Sequence, residues 1–446
     1  MVRLERLRYR GSFKFAWLLA SLGVGTLAVW GQAAQPQLGD RPFPVNVLLI
    51  IGDDQGWTDF GFMGHAVIRT PHLDRLASQS LVFTRGYVPS SLCRPSLGTL
   101  VTGLYPHQHR LTCNDPPQAG TEAERLALRE EQIRYIDRLP TLPRLLAQRG
   151  YLSLQTGKWW EGHYSRGGFT HGMTHGDPKR GGRHGDEGLR IGREGLEPIF
   201  RFIRECGERP FFIWYAPYLP HEPHNPPPAI LEKYRRLTDS PYVAAYWAMC
   251  EWFDQTCGQL LDHLEQTGLA QRTLVVFVVD NGWIQNPTGR GFAPKSKRSP
   301  YDGGLRTPIM LRLPGVIEPR RDDVTPVSTV DIVPTILRVC GVDVPPELPG
   351  SCLLDPEALQ RRAAIFGATF THEAVDVHNP AANLMYRWTI EGWWKLIVPH
   401  RANVAEGKPE LYNLKEDPHE SRNLIDEHPE VYHRLLQRIE GWWSVP

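Results

Sequence analysis

The chain has 446 residues, 41% of them hydrophobic and 22% charged, enough for one large buried core and a smaller one, because single cores stop growing at roughly 250–300 residues. Lysine and arginine number 50 against 49 aspartate and glutamate, with no long run of one sign. Bulk charge therefore argues against a nucleic-acid partner or an anionic membrane surface and leaves anion recognition to a local site.

Residues 1–34 read as a signal peptide. A basic stretch, MVRLERLRYRGSFKF, precedes the apolar run AWLLASLGVGTLAVW and the small-residue segment from Gly31 to Ala34, with cleavage expected near Ala33 or Ala34. The run is shorter than the ~20 apolar residues that span a bilayer, so the expectation is an exported chain, periplasmic or secreted, with no membrane anchor after cleavage. Seven cysteines are present, none at zinc spacing. Apart from Cys93, they are open either to pairing in an oxidising compartment, Cys340 with Cys352 for example, or to burial as free thiols.

After a polar stretch, VNVLLIIGDD is a continuous apolar run that ends in Asp53 and Asp54, the pattern of a strand buried on both faces. TLVVFVVDNG repeats the pattern and ends in Asp280 and Asn281. Between them lie LPTLPRLLAQRG and AAYWAMCEWFDQTCGQLLDHLEQTG, helix-like and each closed by glycine. Buried strands alternating with helices predict an α/β fold, a mostly parallel sheet flanked by helices, with its site beyond the carboxyl ends of the strands. The Gly- and His-rich segment from His163 to Gly188 predicts a long loop of the functional or mobile kind. From about Arg361 the texture changes to IFGATF, YRWTIEGWWKLIVP and PELYNLKEDP, then a helical stretch from about Pro429 to Trp443. That predicts a smaller antiparallel sheet with a terminal helix. The expected division is residues 40–360 for the main domain and 361–446 for the C-terminal subdomain.

Adjacent carboxylates at a strand end repel unless a cation lies between them. Asp53, Asp54, Asp280 and Asn281 together offer only oxygen, which suits a hard ion, calcium or magnesium, better than zinc. In SSLCRPSLGTLVTGLYPHQH, Cys93 precedes a predicted helix, where the dipole is expected to favour an anion and lower a thiol pKa, with Arg94 at hand.

This last segment is similar to the sulfatase signature, Cys-x-Pro-Ser-Arg followed by three residues and Leu-Thr-Gly; Cys93, Pro95, Ser96, Thr102 and Gly103 match. Further matching segments, in order, are NVLLIIGDDQGWTDFG, TPHLDRLASQSLVFTRGYV, TGKWW, LPHEPH, VVDNG, KRSPYDGGLRTP and LYNLKEDPHESRNL. The resemblance implies an alkaline-phosphatase-like fold and a sulfuric ester hydrolase acting on a sulfated small molecule or glycan. It implies one calcium ion on Asp53, Asp54, Asp280 and Asn281, and Cys93 oxidised to formylglycine by a formylglycine-generating enzyme as partner. Lys158, His221 and Lys297 are implied as the residues that hold sulfate and assist departure of the alcohol, with His224 as a substrate contact. Two positions depart from the pattern. Leu97 stands where the signature has arginine, and Trp160 stands where the family has a histidine, with Glu161 or His163 near in sequence to replace it. Two other readings of the same residues are a phosphoester or phosphonate hydrolase and a catalytically silent protein that binds sulfated glycan.

Overall fold

The computed structural model describes residues 44–445; the signal peptide expected over 1–34 lies outside them. Nine strands form the main sheet: β1 (Asn46–Gly52), β2 (Leu81–Tyr87), β3 (Leu152–Gly157), β4 (His171–Gly172), β5 (Phe211–Ala216), β6 (Thr273–Val279), β7 (Arg306–Arg312), β8 (Arg320–Asp322) and β9 (Val327–Ser328). Their order is β4-β3-β5-β1-β6-β7-β2-β8, with β9 on β2. Pairing is parallel across β4, β3, β5, β1 and β6; β7 is antiparallel to both its neighbours, β6 and β2.

β1 and β6 are buried along their whole length, as their unbroken apolar sequences require in a sheet covered on both faces. Alternation sorts the side chains. Val47, Leu49 and Ile51 join Val276 and Val278 in one core, under helices Cys93–Thr102 and Ile332–Val339. Leu48 and Ile50 join Val275 and Phe277 in the other, against helices Glu197–Cys206 and Pro241–Gln266.

The C-terminal strands β10 (Ile365–Phe370), β11 (Leu384–Glu391), β12 (Trp394–Pro399) and β13 (Glu410–Asn413) form a separate antiparallel sheet, with helix Pro429–Trp442 packing Val431, Leu435 and Ile439 on Leu396 and Leu411. A buried charge cluster joins the two sheets: Lys395 lies 2.9 Å from Asp302 and 2.7 Å from Glu420. The predicted α/β class, with its smaller antiparallel sheet and terminal helix, is the observed one. Cys340 and Cys352 are not paired; all seven cysteines are free thiols, six of them buried. Among the described residues no helix is long and apolar enough to cross a membrane.

Candidate active site

Register brings the strand ends together. Gly52 of β1 faces Val279 of β6, and Gly157 of β3 faces Ala216 of β5, so Asp53–Asp54, Lys158 and Asp280–Asn281 leave the sheet along one edge. Gly157, at φ +76, has to be glycine, because a Cβ there would lie 1.8 Å from the Ala216 carbonyl oxygen. The Lys158 amide then donates to that same carbonyl at 2.7 Å. Asp54 itself has φ 65, a left-handed conformation that non-glycine residues keep only where surrounding contacts impose it. Those contacts are present: its amide donates to Asp280 Oδ1 at 3.1 Å and its Oδ1 accepts from Asn281 at 2.6 Å.

The groups converge. Lys158 Nζ lies 2.7 Å from Asp53 Oδ1 and 3.8 Å from Asp280 Oδ2. Lys297 Nζ and His221 Nε2 lie 2.6 Å and 3.2 Å from Asp54 Oδ2. Lys297 is carried by a segment in which Lys295 and Arg298 also have positive φ. Burial raises Asp53 well above the usual carboxylate range against the pull of Lys158, with Asp280 and Asp54 adding to the rise, and burial raises Asp280 too. Burial opposes the charge on both lysines, yet Asp53 holds Lys158, and Asp54 holds Lys297, above the ordinary lysine value. Burial, with Lys158 and Lys297, lowers His221 well below the usual imidazole range.

Asp53, Asp54 and Asp280 outnumber Lys158 and Lys297, so the cluster lacks positive charge. Asp53 Oδ2, Asp280 Oδ2 and Asn281 Oδ1 are buried without a hydrogen-bond partner. Orphan oxygens at adjacent strand ends fit a hard divalent ion. Ligand atoms of Asp53, Asp54, Cys93 and His221 also lie within 4.8 Å of one another.

Cys93 is the first residue of helix Cys93–Thr102, as its sequence context predicts, but its thiol does not behave as expected there. Burial pushes its pKa up to about 12, more than Lys158 and Lys297 can offset. Arg94 does not assist it. Its guanidinium is committed to Glu161 at 2.8 and 2.6 Å and to Gln132 at 2.9 Å. The same pair removes Glu161 as a stand-in for the missing histidine, since its carboxylate is spent on a buried arginine. His163 Nδ1 contacts Ser165 at 2.8 Å and its ring packs on Tyr164, and it does not reach the cavity.

That cavity, about 240 Å³, is lined by Asp54, Cys93, Lys158, Trp160, His221 and Lys297. Among the further lining residues that sequence reasoning missed are Arg183, His184, Tyr218 and His372. His224 opens instead onto an adjoining cavity of about 570 Å³ that shares His221 and Glu222 and includes Tyr242 and Arg290. Burial lowers the His224 pKa to about 4.

Comparison with known proteins gives the family. The sulfatase family model matches residues 45–342, and the model for the C-terminal part of N-sulphoglucosamine sulphohydrolase matches residues 292–442. The chain belongs to the sulfatase family, a class of sulfuric ester hydrolases. It is 22% identical to an N-acetylgalactosamine-6-O-sulfatase of Bacteroides thetaiotaomicron across 94% of this chain and 97% of that protein. It is 27% identical to human arylsulfatase A across 88% and 87%. Its fold superimposes with a TM-score of 0.69, at 18% identity, on a protein solved in complex with its substrate D-glucosamine-2-N,6-O-disulfate, covering 90% of this chain and 97% of that one.

Proposed function

We propose that this chain hydrolyses an O-sulfate ester of a sugar, with residue 93 as the attacking position and calcium on Asp53, Asp54, Asp280 and Asn281. The observation that carries the reading is the cluster of three carboxylates, two ammonium groups and one imidazole at the strand ends, of which Asp54, Lys158, Lys297 and His221 line one cavity with Cys93. In such a site calcium would polarise the sulfuryl oxygens and formylglycine at position 93 would supply an oxygen nucleophile.

The chain's own groups do the rest. Lys158 and Lys297, both buried, offset charge on the sulfate oxygens. The Nδ1 of His221 lies 2.5 Å from the Glu222 carbonyl, which fixes the ring and directs Nε2 to the cavity to protonate the departing alkoxide. An arriving sulfate offsets the two ammonium charges that help depress His221, and so returns proton affinity to it. The sulfated sugars named for the relatives, and the adjoining cavity with Tyr242 and Arg290, support a glycan as substrate. Export through residues 1–34, the catalytic domain at 40–360 and the subdomain at 361–446 belong to the same reading, as does modification by a formylglycine-generating enzyme.

Parallel assays of the sulfate and phosphate monoesters of one phenol test it. Turnover of the sulfate well above that of the phosphate is expected; the reverse order would overturn the sulfate assignment.

A further inference from the structure

Leu97 and Trp160 leave the cavity without the guanidinium and imidazole found at those positions in the family. Leu97 is buried in the core, and an indole donates but cannot accept a proton. The segment from His163 to Gly188 returns both groups from elsewhere in the chain. The His184 carbonyl accepts a hydrogen bond from the Trp159 amide at 3.0 Å, which fixes this residue beside the Lys158–Trp160 turn. Its ring centroid lies 5.2 Å from that of Trp160 and 5.4 Å from that of Tyr218, and its Nδ1 is buried with no partner. Burial, with Lys158 and Arg183 nearby, lowers its pKa to about 3, so the ring is neutral and has a lone pair to offer.

The Arg183 guanidinium sits 4.6 Å over the Trp160 ring; its Nε donates to Asp115 Oδ1 at 2.8 Å and its Nη2 to Asp115 Oδ2. Arg129 lies 3.6 Å from the same carboxylate. Two guanidinium groups thus share the Asp115 carboxylate, which also lies within 4.8 Å of ligand atoms of His372 and Glu373. The segment is tied down on both sides of the pair. Asp186 accepts from the amides of His175 and Gly176 at 2.9 and 2.7 Å, and Thr174 Oγ1 donates to the Gly185 carbonyl at 2.9 Å. Arg183 and His184 line the cavity that holds Cys93.

We propose that Arg183 and His184 take over the two absent roles: Arg183 receives the sulfate of the substrate, and His184 is the imidazole that accepts a hydrogen bond from the reacting group. The inference rests on the sulfatase reading above. It makes Trp160 a platform on which the replacement side chains pack.

Titration of inorganic sulfate into the full chain, followed by calorimetry, tests Arg183 without turnover. Arg183→Gln should weaken sulfate binding roughly tenfold or more, the scale of a lost charge-assisted pair, and adding Leu97→Arg should recover part of it. Undiminished binding by Arg183→Gln would overturn the assignment. His184→Gln should leave sulfate binding in place while kcat on an aryl sulfate falls roughly a hundredfold, the low end for loss of a proton-handling group. Trp160→His should then restore turnover in that background, which repair of a merely structural residue would not do. A His184→Gln variant with wild-type kcat, or one that Trp160→His fails to rescue, would overturn the role. A wild-type chain that binds sulfate through Arg183 but cleaves no sulfate ester would refute the sulfatase reading while upholding Arg183 as the anion receptor.

Discussion

Lys297 Nζ stands 2.6 Å from Asp54 Oδ2, although 243 positions separate the two residues in the chain. Their pairing ties the segment after β6 to the end of β1, yet one ammonium per carboxylate is not reached in this cluster. A divalent ion corrects the deficit. Calcium at a hundred times its dissociation constant should stabilise the protein by about 2.7 kcal/mol, read as a higher Tm that a chelator reverses. Asp53→Asn should abolish that response; a Tm indifferent to calcium in the wild type would contradict the ion site.

Loss of His221 should separate substrates by leaving group. His221→Ala is expected to slow alkyl sulfates by roughly 10²–10⁴ and activated aryl sulfates far less, because only the former need a proton delivered. Equal losses on both would assign His221 to sulfate binding instead.

Arg94 and Glu161 form an ion pair 0% and 4% exposed at 2.6 Å. Removing one partner leaves a buried charge, so Glu161→Ala should cost about 3–5 kcal/mol, whereas the double replacement Arg94→Met with Glu161→Leu should cost much less. Thermal unfolding of the wild type and the two variants measures both. A Glu161→Ala protein of wild-type stability would show that the carboxylate is not needed where it lies.

How much could be read in advance follows from where each residue sits. Asp53, Asp54, Asp280 and Asn281 end long apolar strands, so pattern alone located them. Lys158 follows a glycine that the β3–β5 register demands, and family context was needed to single it out. Arg183, His184 and His372 lie in irregular segments whose position is set by contacts distant in sequence, such as the Trp159–His184 bond and the bond from the Asn114 amide to the His372 carbonyl at 3.0 Å. The Gly- and His-rich composition of 163–188 marked that segment as a functional or mobile loop, but nothing local singled out Arg183, His184 or His372 within the chain. Cys93 was placed rightly at a helix start, but its thiol pKa depends on burial, which the helix dipole argument leaves out. Arg94 and Glu161, 67 residues apart, neutralise each other for the same reason of tertiary placement.

Acid should weaken the fold through His109. Burial holds its pKa at about 3, with Leu111 N donating to Nδ1 at 3.1 Å and Thr99 Oγ1 at 3.3 Å from Nε2. The unfolded chain binds a proton near the ordinary imidazole value of about 6.5 while the folded chain does not. This group's contribution is therefore complete above that value and lost as pH falls from there toward 3, by up to about 1.4 kcal/mol per pH unit. The Tm gap between wild type and His109→Gln should narrow over that range; a gap independent of pH would contradict the assignment.

The central claim, an attacking group made from Cys93, is met most directly by mass spectrometry of the peptide spanning residue 93 after expression beside a formylglycine-generating enzyme. The account predicts a peptide lighter than its cysteine form, reactive with hydrazides, in a fraction that tracks sulfate-ester turnover across preparations. An unmodified thiol at residue 93, together with full turnover by Cys93→Ala, would contradict it.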